Sequence, residues 1–89
     1  MNAIITVTGK DTSGIIAKVS AECFKANANI VDITQKVFGN MFVMVMMITT
    51  DNMKERFTDF VDTMNALGER ENLVIHTMHE DIFNAMHNI

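Results

Sequence analysis

The sequence predicts an α+β domain. It reads as a ferredoxin-like βαββαβ sandwich, a four-stranded antiparallel sheet with two helices on one face, plus a short C-terminal helix. Three observations lead there. Several segments carry alternating or β-branched apolar residues, two others carry apolar stripes at helical spacing, and Gly39-Asn40 separates two strand-like runs as a two-residue hairpin turn.

The first strand covers Ala3 to Thr8, where Ala3, Ile5 and Val7 alternate with Ile4, Thr6 and Thr8. Gly9-Lys10-Asp11-Thr12-Ser13-Gly14 follows as a loop with a glycine at each end. Thr12 or Ser13 is placed to cap the next helix. That helix is expected from about Gly14 to Ala28, because Ile15, Ile16, Val19, Cys23 and Ala26 fall within an arc of about 100°. Glu22 stands four residues after Lys18 and three before Lys25, the spacing of weak ion pairs on a solvated face. Asn27 and Asn29 end the helix, since Asn tolerates a left-handed cap.

Ile30 to Phe38 reads as the second strand, with Val31, Ile33 and Val37 on one face and Asp32, Thr34 and Lys36 on the other. Met41 to Thr50 returns as the third. It is apolar on both faces, with Phe42, Met44, Met46 and Ile48 pointing one way and Met41, Val43, Val45 and Met47 the other. Asp51 or Asn52 is expected to cap a second helix from about Met53 to Leu67, with Gly68 as its C-cap. Asn72 to Met78 completes the sheet, and Glu80 to His87 forms a terminal helix with Ile82, Phe83 and Met86 as its apolar set.

Composition bounds the rest. Eighty-nine residues make a single domain, 1–89, with a C-terminal tail over 80–89. A chain 48% hydrophobic and 20% charged is not a disordered tail, and the absence of Pro excludes proline-rich and collagen-like readings. Seven basic against eleven acidic residues leave a net charge of -4, so the basic footprint of a nucleic-acid binder is missing. The longest apolar run, Met41 to Ile48, is far below the ~20 residues of a membrane helix. With one cysteine and no signal peptide, the expected location is the cytoplasm, away from membranes.

Few residues invite chemistry. The glycine-bounded loop lacks the spacing of a phosphate loop, but a loop-to-helix junction offers free backbone N–H groups to a carboxylate or phosphate. The alternative is a plain helix start. His76, His79 and His87 raise a metal reading, but strand positions three apart face opposite sides, which favours partly exposed histidines without a metal. Cys23 lies on an apolar stripe without a Cys partner, as an inert buried thiol would. An acylphosphatase-like enzyme would want an arginine in the first loop, where only Lys10 stands. An RNA-binding domain of this topology would want stacked aromatics, where Phe42 stands without Tyr or basic neighbours. The methionines read as core or interface filling. The apolar outer face of the third strand calls for cover from a second copy or from the C-terminal segment.

The stretch ITVTGKDTSGIIAKVSAECFKANANIVDITQ resembles the opening of an ACT domain, in which a strand leads through a D-x-x/P-G loop into the first helix and a Gly-x-Asn-Ile segment enters the second strand. The order of elements fits that family to about Glu80. More closely, it resembles the small stand-alone ACT-domain proteins of bacteria related to the glycine cleavage system repressor. Asn27 stands where the family usually has Gly, and Ser13 where many members have Pro. The resemblance implies a non-catalytic regulatory module that binds an amino acid between ACT domains, without a cofactor or metal. By position it makes Asp11, Thr12, Ser13 and Gly14 the loop contacts, and Asn29 and Ile30 the contacts from the second strand. The implied partners are a small-molecule ligand and further copies of the chain, a dimer first of all. The competing reading is a protein–protein adaptor with a vestigial ligand site, and a small phosphatase stands third.

Overall fold

A computed structural model describes residues 1–87, so the last two residues of the tail expected over 80–89 lie outside it. The elements are β1 (Asn2–Lys10), α1 (Ile15–Ala26), β2 (Asn29–Phe38), β3 (Met41–Thr49), α2 (Phe57–Glu71), β4 (Leu73–His79) and α3 (Glu80–Met86). The strands form one antiparallel sheet in the order β2-β3-β1-β4. The ferredoxin-like architecture read from the sequence is therefore the one observed.

The core lies on the helix side of the sheet. Ala3, Ile5 and Val7 of β1 and Met44, Met46 and Ile48 of β3 are fully buried there against Val19 and Cys23 of α1 and Phe60 and Met64 of α2. At about 25 cal/mol per Å² of apolar surface, burying such side chains is the main favourable term of the fold. Cys23 sits 1% exposed with its Sγ 4.0 Å from Met46 Sδ. Burial, aided by the neighbouring Glu22 carboxylate, pushes its thiol up to about 11, so it stays protonated and unreactive at neutral pH.

The other face of β3 is covered in part by the chain's own tail. Ile4 points outward beside Met47 and Met78, yet it is only 3% exposed, because α3 folds back over β1 and β4. The cover stops short of the hairpin end, where Met41 is 52% exposed.

Four details differ from the sequence expectation. Neither Thr12 nor Ser13 caps α1; the N-cap is Gly14 in a left-handed conformation (φ 86°) with no side-chain cap bond. Lys18 reaches across to Glu71 of α2 rather than to Glu22, while Lys25 does pair with Glu22 at 3.4 Å. On β2 a bulge at Val31 shifts the register, so Ile30 and Ile33 share the helix-side face with Val37, and the whole strand is exposed except half-buried Ile30. Finally, α2 begins at Phe57 and ends past Leu67. Asp51 and Asn52 are spent elsewhere: Asp51 takes the N-terminal ammonium, and Asn52 offers its carbonyl to the Asn27 amide at 2.8 Å. Gly68 is not a cap but a buried helical position against β4, where a Cβ would lie 2.8 Å from the Leu73 carbonyl oxygen. The C-cap is Asn72, left-handed at φ 57°.

Candidate functional site

The loop from Asp11 to Gly14 leaves β1 at the hairpin end of the sheet. Its anchor is a backbone bond, the Asp11 N–H donating to the Asn40 carbonyl at 2.7 Å across the β2–β3 turn. Gly14 then turns the chain into α1, its carbonyl accepting from Lys18 N at 3.0 Å. That is the first bond of the helix, so the amides of Ile15, Ile16 and Ala17 have no partner within α1 and no side chain caps them. They give the helix start a partial positive charge suited to a carboxylate.

A hollow of about 260 Å³ opens at this point, lined by Asp11, Thr12 and Gly14 from the loop, Ile16 from α1, and Gln35 and Val37 from β2. Ser13 is exposed but does not line it. Gln35 is the residue the sequence reading passed over. It is polar in the middle of the helix-side face of β2, between Ile33 and Val37, and this interruption of an apolar face is the signal that could have found it.

Asn29 and Ile30 lie elsewhere. They start β2, at the opposite end of the strand from the hairpin, and α1 spans the distance between them and the loop, about 18 Å for its twelve residues. Asn29 lines a second hollow of about 370 Å³ together with Phe24, Asn27, Ala28, Thr49 and Asn52. Asn27 holds the left-handed C-cap position (φ 60°), a conformation that Asn tolerates second only to Gly. Phe24 beside it is 84% exposed, an unusual fate for the largest apolar side chain of α1. Within one chain, then, the loop residues come together with Gln35, and Asn29 and Ile30 do not join them.

The histidines stay apart in role. His76 lines a hollow between α3 and the outer sheet face, His79 caps α3 by accepting from the Asp81 N–H at 3.2 Å, and the His87 ring lies 2.8 Å from the Phe83 carbonyl. Among the described residues no group of three or more His, Cys, Asp or Glu is arranged to hold a metal. No helix among them is long and apolar enough to cross a membrane.

Comparison with known proteins agrees with this anatomy. The UPF0237 protein of Listeria innocua is 38% identical over 89 residues, covering all of both chains. An ACT domain protein from Streptococcus pneumoniae superposes with a TM-score of 0.81 at 40% identity, covering 93% of each chain. A candidate glycine cleavage system transcriptional repressor superposes with a TM-score of 0.70 at 27% identity, over 89% of this chain and 47% of that one. The family model for the ACT domain matches residues 2–77, from the first strand to the last. The chain belongs to the ACT-domain family.

Proposed function

We propose that this protein is a non-catalytic regulatory module that binds an amino acid, and that it does so between two copies of the chain. ACT domains are ligand-binding regulatory modules. One observation carries the finer reading: Asp11, Thr12 and Gly14 line one hollow and Asn29 another, at opposite ends of α1. A single chain cannot close both groups on one small ligand. A second copy related by a two-fold axis beside β2 runs antiparallel, so its Asn29 end approaches the loop of the first, and the exchange occurs twice. The α1 start would then hold the α-carboxylate, while the Asp11 carboxylate and the amide carbonyls of Gln35 and the partner's Asn29 suit an α-ammonium. A single cysteine, buried and free, fits a reducing compartment, and the proposed site of action is the cytoplasm.

Isothermal titration against the twenty amino acids tests this. One or a few should give heat, with one ligand per chain. Asn29→Ala and Gly14→Val should each abolish that heat while the oligomer survives. Gly14→Val acts by straining a left-handed backbone position (φ 86°) at the helix start. No heat from any amino acid, in a folded oligomer, would favour the second reading, an adaptor for another protein. What speaks for the adaptor is the exposed apolar surface of Phe24, Val31 and Val37.

A further inference from the structure

We propose that the hollow between α3 and the outer face of the sheet binds a fatty carboxylate of medium chain length, with Thr6, Thr8 and His76 holding the carboxylate and α3 lying along the alkyl chain. The site is separate from both hollows at the ends of α1 and stands independently of the amino-acid reading.

The hollow follows from the alternation of β1. Ile5 and Val7 face the core, which sends Thr6 and Thr8 to the outer face. There the sheet pairs Thr6 with Val45 of β3 on one side and His76 of β4 on the other, and it sets Val43 beside Thr8. The floor thus has an apolar strip on β3 and a polar strip on β1 and β4. The roof is α3, which packs on β1 and β4 and brings Ile82, Phe83 and Met86 over the hollow. Its volume is about 700 Å³, inside the range of about 300–1,000 Å³ of small-molecule sites. Ile82 and Met86 line it and are still 56% and 65% exposed, so the chain's own packing leaves apolar surface there to be covered.

The lining selects the ligand. Met78 and Met86 are unbranched and adaptable, suited to a flexible alkyl chain more than to a rigid ring. The floor runs from Met78, paired with Ile4, to Thr8, four residues of β1 or about 14 Å, which limits the chain to medium length. The polar strip calls for an acceptor: the Thr6 and Thr8 hydroxyls and a ring N–H of His76 can all donate from neighbouring positions on two strands. Among the described residues that line the hollow there is no Asp or Glu, in a chain with eleven of them, whereas two of its three histidines are here. Lys36 stands next to Val43 on the same face, one strand farther out. A carboxylate accepts such bonds and meets no like charge in the lining. His87 belongs to the wall: its Nδ1 donates to the Phe83 carbonyl at 2.8 Å, and its ring lies against that of Phe83 with centroids 4.3 Å apart. A partner's helix fits less well than a thin chain, because α3 already occupies the place above β1 and β4 where it would lie.

Titration calorimetry with decanoate, below its micelle concentration, tests the site. Heat is expected at one ligand per chain, with decanol binding about tenfold more weakly. Val45→Glu puts a carboxylate into the floor, and Met86→Glu puts one into the roof at a side chain 65% exposed, where the fold does not depend on it. Each should weaken decanoate by about tenfold or more. Thr6→Val keeps a β-branched strand residue and removes one donor, so it should weaken decanoate by about tenfold and leave decanol unchanged. Asp11→Ala and Asn29→Ala, in the hollows along α1, should leave decanoate binding as it is. No heat from decanoate, decanol bound as tightly as decanoate, or binding indifferent to both Val45→Glu and Met86→Glu would overturn the proposal. If no amino acid gives heat but decanoate behaves as expected, the amino-acid reading fails and this site stands. The reverse result leaves the hollows along α1 and removes this one.

Discussion

The two edges of the sheet are built in opposite ways. β4 has seven residues, packs Leu73 and Ile75 into the core, and is clasped by α2 before it and α3 after it. β2 has ten residues, none of them buried, and only an aspartate side chain to occupy one of its outward amides. One edge is closed by the chain's own packing and the other is left for something else. The difference separates stability from association. Stability resides in β1, β3, β4 and the two long helices, and β2 contributes mainly surface.

That division can be broken by mutation. The largest effect is expected at Phe60, which is fully buried under α2; Phe60→Ala should cost about 3–5 kcal/mol in denaturant unfolding. Next comes the closed edge. Gly68→Ala would ordinarily favour a helix, but here the new methyl meets the Leu73 carbonyl, so a loss of about 1–3 kcal/mol is expected instead. A stabilised Gly68→Ala variant would show that α2 and β4 are not held as tightly as described.

Cys23 comes third and depends on pH. Its thiol ionises near 9.0 when free and at about 11 in the fold. The unfolded chain therefore releases this proton first as pH rises. The stability present below pH 9 falls between 9 and 11, by at most roughly 2–3 kcal/mol. Cys23→Ala should flatten that part of the pH profile, and the native thiol should react with an aromatic disulfide reagent only on unfolding. The smallest effect is expected on the open edge: Val37→Ser, at a side chain 48% exposed, should change unfolding by under about 0.5 kcal/mol at concentrations where the chain is monomeric. A loss comparable to that at Gly68 would mean β2 is part of the core after all.

Much of this was legible in the residues. Alternation located β1 and β3, and Gly39-Asn40 located the hairpin, with a positive φ only at Gly39 as a II′-type turn requires. Asn27 declared a left-handed cap without any glycine. What local pattern could not show was competition for the same groups. Asp51 looks like a helix cap until the N-terminal ammonium claims it, and Gly68 looks like a terminator until β4 is laid against it. The loop residues and Asn29 were both proposed by resemblance to a family motif. Their separation follows from the helix that stands between them in the chain, twelve residues of α1 at about 1.5 Å each.

The strand order also has a consequence in time. β1 is central, and its neighbours β3 and β4 begin about thirty and sixty residues after it ends. Only the β2–β3 hairpin is local. The strand pairing that can form first thus joins the least buried strand, β2, to β3, and the core must wait for the chain to bring its distant ends together. Folding should be slowed by closing that long loop, and hydrogen exchange should find β1 the last strand to open.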